Sequence, residues 1–131
     1  MKLILALFFI LILAPVPAFA HYTGELLPDS VAVMEYQMII SMQPSDTLTR
    51  NKLGMVYLRQ NKLDKARAQF LDILKIDARN FDALDSLGIV ESRLGDPSQA
   101  AAWYERALKI KNDNGCRQRF MAEKALLKAK K

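Results

Sequence analysis

His21 is the only imidazole and Cys116 the only thiol among 131 residues, so these two side chains bound most of the chemistry the chain could perform. A Ser-His-Asp or Cys-His nucleophile would have to be built on His21. A zinc site of the Cys/His type needs about four such ligands and cannot be assembled. One cysteine also excludes an internal disulfide framework and leaves a free thiol or an intermolecular bridge. His21 at a processed N-terminus could chelate copper through amine and imidazole, but the bracing arrangement takes a second histidine, which the sequence lacks. Met34, Met38 and Met42 recur at a helical spacing and could offer soft ligands to Cu(I). Asp82 and Asp85 share a helix face, the usual spacing of solvated carboxylates rather than of an acid/base pair. The expectation is a protein that is not an enzyme and carries no metal and no cofactor.

Charge narrows the partners. Lys and Arg total 19 against 14 Asp and Glu. The excess lies at one end: residues 105–131 hold nine basic and three acidic side chains, whereas 21–104 hold nine and eleven. Lys124, Lys128, Lys130 and Lys131 would complement the C-terminal dipole of a last helix, and could also meet an anionic membrane surface. No aromatic residue interleaves that run, so nucleic acid is not an expected partner.

The first twenty residues read as a cleavable export signal. Lys2 is the positive start, Leu3–Ala14 is unbroken apolar sequence, Pro15 and Pro17 end it, and Ala18-Phe19-Ala20 is a small-x-small cleavage site. The apolar run would span only about 18 Å as a helix, short of the ~30 Å hydrocarbon core of a bilayer. The expected destination is extracytoplasmic, the periplasm or the extracellular space, with residues 21–28 a flexible start to the mature chain.

The mature chain repeats itself. Residues 47–80 align with 81–114 without a gap and share ten identities: Leu53/Leu87, Gly54/Gly88, Val56/Val90, Arg59/Arg93, Ala66/Ala100, Ala68/Ala102, Leu74/Leu108, Lys75/Lys109, Ile76/Ile110 and Asn80/Asn114. A fixed period of this size marks a stacked supersecondary unit. Each unit reads as two helices, in the first about Leu48–Gln60 and Leu63–Ile76, with apolar residues at helical spacing. Gly95 is a left-handed helix end, Asp96 a cap and Pro97 a first-turn residue, while Asn61 stands in for that glycine in the first unit.

These units resemble tetratricopeptide (TPR) repeats. The carrying residues are Leu53-Gly54-Tyr57-Ala66-Phe70-Ile73 in one unit and Leu87-Gly88-Ala100-Tyr104-Ala107 in the next; Glu91, Ala78 and Asn112 depart from the pattern. One period earlier, residues 29–46 match half a repeat, its second helix, through Ala32, Tyr36, Ile39 and Pro44. One period later, 115–131 fall where a first helix should start, with Met121, Ala122 and Ala125 at the Leu, Gly and Tyr positions, and read as a basic capping helix. The resemblance implies an all-α helical-hairpin solenoid: a half repeat, full repeats over 47–80 and 81–114, and the cap.

It also implies a protein or peptide partner in a groove lined by first-helix side chains. By register these are Leu48, Asn51, Met55 and Leu58, then Asp82, Asp85, Ile89 and Ser92, with Cys116, Arg119 and Glu123 added by the cap. The family's carboxylate-clamp subtype uses Lys and Asn where this chain has Asn51 and Met55, which argues against that ligand class. A second surface is expected on the N-terminal helix. Val31 and Met38 replace the polar Lys65/Gln99 and Asp72/Arg106, and with Met34 and Met42 they form an apolar face for another protein, for a second copy of the chain, or for the leader-proximal segment. Similarity to exported bacterial repeat proteins implies a role in an envelope or secretion complex, or in protein maturation.

Overall fold

A computed structural model describes residues 28–130, and the segment expected to be an export signal, residues 1–20, and the expected flexible start, residues 21–27, lie outside that range. Six helices follow one another: α1 Asp29–Met42, α2 Thr47–Arg59, α3 Leu63–Ile76, α4 Phe81–Arg93, α5 Pro97–Ile110 and α6 Asn114–Ala129. No strand occurs among the described residues. Each helix packs on its neighbours in the chain, and α2 also touches α4, the first-helix to first-helix contact of a solenoid.

Local chemistry fixes the helix ends. The side chains of Asp46, Asn80, Asp96 and Asp113 accept hydrogen bonds from backbone N–H groups of Thr49, Ala83, Ser98 with Gln99, and Cys116, capping α2, α4, α5 and α6. Hydrogen bonds from the Thr49 side chain and backbone hold the Asp46 carboxyl below its usual range. Gly95 adopts φ 82° and Asn61 φ 55°, the left-handed turn between the helices of each hairpin that their residue types announce.

Within each hairpin a ring lies on a glycine. A Cβ added at Gly54 would sit 2.6 Å from Phe70 Cε1, and one at Gly88 would collide with the Tyr104 ring. Leu53, Tyr57, Leu58, Ala66, Phe70, Ile73, Ala83, Leu87 and Val90 form one buried cluster; Leu84, Ala100, Tyr104, Ala107 and Cys116 form the next. The seams between units are polar as well as apolar. Gln37 Nε2 donates to Tyr57 Oη at 3.1 Å, and Arg67 donates to both oxygens of Glu91 at 2.9 and 2.7 Å. Glu91, the departure from the family's tyrosine, is thereby the acceptor of a bidentate bond from the preceding unit.

Candidate partner-binding groove

The groove residues divide into a free half and a closed half. On α2, Leu48 and Met55 are 65% and 40% exposed, and Asn51 between them is half-buried. The Asn51 Oδ1 atom is buried without a hydrogen-bond partner. These three sit at i, i+3 and i+7, one stripe along one helix face.

On α4 and α6 the polar residues bind each other. Arg119 Nη2 lies 2.7 and 2.6 Å from the two carboxylate oxygens of Asp85, and Ser92 Oγ donates to Glu123 Oε1 at 2.5 Å. The Asp85 carboxylate raises the guanidinium pKa of Arg119, whose plane also lies over the Tyr104 ring at 5.7 Å. Asp82 remains exposed and Ile89 half-buried. Of the two α4 carboxylates expected in the groove only Asp82 stays uncovered, because Arg119 pairs with Asp85.

Two expected groove residues belong elsewhere. Leu58 is buried in the first core cluster, and Arg93 Nη1 donates to its carbonyl at 2.9 Å, so the following unit covers it. Cys116 is fully buried in the second cluster, its Sγ 3.7 Å from the Tyr104 carbonyl oxygen. Burial, with the Asp85 carboxylate beside it, pushes the thiol up to about 12. That removes the reactive thiolate a helix N-terminus would favour, and a buried sulfur cannot reach another chain. Glu123, also expected in the groove, is buried against Ser92 and is part of its wall rather than its lining.

On the N-terminal helix Val31, Met34, Met38 and Met42 are exposed; the leader-proximal segment named as one possible cover lies outside the described residues. Sequence reasoning missed one further concavity, a depression of about 480 Å³ between α3 and α5, where Leu71, Leu74 and Trp103 are rimmed by Asp72, Lys75 and Arg106. Arg106 stacks over Trp103 at 4.6 Å. The sequence signal was the lone tryptophan at the position of Gln69, an aromatic on the side of a second helix facing away from its hairpin. Among the described residues there is no cluster of His, Cys, Asp and Glu able to hold a metal, and no helix is long and apolar enough to cross a membrane.

Known proteins place this architecture. The Tetratricopeptide repeat family profile matches residues 47–113. A BBSome complex member of Caenorhabditis elegans is 29% identical over 92 residues, which cover 70% of this chain and 20% of that one. An uncharacterized ycf37 protein of Guillardia theta is 33% identical over 64 residues, 49% of this chain and 36% of that one. The chain thus matches between a fifth and about a third of the length of these relatives. Among solved structures, the first TPR of Spaghetti bound to an HSP90 peptide superposes with a TM-score of 0.73 at 17% identity, covering 76% of this chain and 79% of that one. YrrB, a TPR protein with an unusual peptide-binding site, superposes with a TM-score of 0.65 at 23% identity over 73% of this chain and 48% of that one. With its period, its glycine-aromatic hairpins and a profile match over half its length, the chain belongs to the tetratricopeptide repeat family.

Proposed function

We propose that the protein is a non-catalytic interaction scaffold that binds a protein or peptide partner along α2 and presents the apolar face of α1 as a second contact. The observation that carries this reading is the α2 stripe. Two large apolar side chains, Leu48 and Met55, stay exposed beside an Asn51 Oδ1 that lacks a partner. An extended peptide laid there would bury these apolar side chains, with the half-buried Asn51 between them. The paired Arg119/Asp85 and Ser92/Glu123 side chains supply a rigid far wall.

The compartment belongs to the same proposal. An apolar start with a small-x-small site supports export to a bacterial envelope or beyond it, and the basic end from Lys124 onward would offer a peripheral contact with anionic lipid. Mass spectrometry of the protein recovered from producing cells tests this: a chain beginning at His21 supports it, and an intact Met1 chain in the cytoplasm overturns it.

A panel of immobilised extended peptides tests the groove. Wild type should select a subset with apolar side chains, and Met55→Asp should weaken that binding by about tenfold or more, the loss expected for a central anchor. Equal binding by wild type and Met55→Asp would overturn the α2 assignment.

A further inference from the structure

We propose that the depression between α3 and α5 is a binding site separate from the α2 groove and the α1 face. Its ligand is an acidic segment of a partner protein. An aliphatic or aromatic side chain of that segment sits on Trp103, and a neighbouring aspartate or glutamate is held by Arg106.

The stacking of the units leaves the space. First helices α2 and α4 pack on each other, whereas α3 and α5 do not come as close, and a depression of about 480 Å³ lies between them. That volume falls within the range of about 300–1,000 Å³ usual for ligand pockets. Leu71, Leu74 and Trp103 give it an apolar floor. Leu74 and Trp103 also serve the fold, since both pack against the two core clusters. Leu71 belongs to neither cluster and is 36% exposed. One period earlier the positions of Leu71 and Trp103 hold Gln37 and Gln69, and Gln37 donates to Tyr57 Oη. The repeat therefore accepts polar side chains at both positions, and the apolar pair is particular to this place.

Charge at the rim selects the other half of the ligand. Asp72 is already compensated, by Lys75 at 2.7 Å and Arg50 at 3.6 Å. Arg106 is exposed and has no ion pair among the described residues, and its guanidinium lies over the Trp103 ring at 4.6 Å. A guanidinium stacked by its face keeps its in-plane N–H groups free, and these can grip a carboxylate through two parallel hydrogen bonds. Stacking also fixes the cation at the edge of the apolar floor, so the carboxylate and the apolar side chain must come from nearby residues of one segment. With Lys75 and Arg106 against a paired Asp72, the rim is positive and favours an acidic ligand over a basic one. Tryptophan and arginine are the residue types most often found as binding anchors. The exposed Leu71 and Arg106 leave the floor open to solvent, which suits side chains of a protein segment better than an enclosed small molecule. Second helices line this site and first helices line the groove, so a peptide on α2 does not occupy it.

Trp103 is the only tryptophan in the chain, so its fluorescence reports on the site directly. The test titrates the full chain with end-blocked peptides that carry a leucine or phenylalanine at separations from adjacent to one helical turn from an aspartate or glutamate. The asparagine and glutamine forms of the same peptides are titrated beside them. Members of the acidic set should change the Trp103 emission saturably, and their amide forms should bind about tenfold more weakly. Arg106→Gln should lower the affinity by about tenfold, and Leu71→Glu should do the same by setting a carboxylate against that of the ligand. Arg117→Gln removes an equal charge from the exposed surface of α6 and should leave the affinity as it is. Should Leu71→Glu lose helix content, Arg106→Gln and the amide peptides decide the matter, since neither alters the core. An emission unmoved by every peptide of the set, equal binding of the acidic and amide forms, or equal affinities of the Arg106→Gln and Arg117→Gln proteins would each overturn the proposal.

Discussion

Glu91 shows how a single residue departs from a repeat pattern without loosening it. Where the first unit has Tyr57, the second has a carboxylate held by Arg67 through two hydrogen bonds. The Glu91 side chain is nearly buried and the Arg67 side chain about a third exposed, so the pair sits between a screened surface bridge and a desolvated one. Glu91→Ala should cost about 1–2 kcal/mol in urea unfolding, and a double-mutant cycle with Arg67→Ala should recover most of it as coupling. The substitution of Tyr by Glu was legible in the sequence, but its partner was not, since Arg67 and Glu91 meet only once the units are stacked. Cys116 makes the second residue-scale prediction. Its thiol stays protonated to about pH 12 in the fold, while the unfolded chain ionises near the ordinary 9.0, so its contribution to stability is complete below pH 9 and is lost as pH rises towards 12. Thiol alkylation at pH 8 should therefore be slow in buffer and fast in denaturant; rapid labelling of the native protein would contradict the burial. The sequence left Cys116 as a free thiol or an intermolecular bridge, and only its packing beside Tyr104 shows it buried.

At the scale of the element, the sequence was most informative where one residue decides a local geometry. Asn61 and Gly95 mark the turns, and Gly54/Phe70 and Gly88/Tyr104 mark the hairpin contacts. Helix α3 has the expected bounds, Leu63–Ile76, and α2 lies one residue earlier than the spacing suggested because Asp46 caps it through Thr49. Asn80→Ala should destabilise the fold by about 1 kcal/mol, as its side chain accepts the Ala83 N–H at the start of α4. Gly54→Ala sets two effects against each other. The helix gains up to about 1 kcal/mol from alanine, but the new Cβ meets a Phe70 ring that is itself fully buried, and overpacking costs about 1–3 kcal/mol. The net should be destabilising by about 1 kcal/mol; a stabilised variant would show that the ring can move. What spacing could not locate was Leu58. It shares the groove-facing heptad positions of α2, yet the twist between units carries it under α4, and a one-dimensional period does not encode that twist.

Over the described residues, a half repeat, two full repeats and a trailing helix stack as a solenoid that leaves Leu48 and Met55 of α2 exposed. The cap expected to be polar instead carries an exposed Met121 and Leu126 among its lysines. The central claim is that Leu48, Asn51 and Met55 on α2 touch a partner. The direct measurement places a photo-crosslinking residue at Met55 in producing cells and, as a control, at the exposed Arg79 between α3 and α4. The account predicts a discrete adduct from position 55 that is absent from position 79. No adduct from 55, or the same adducts from both positions, would contradict it.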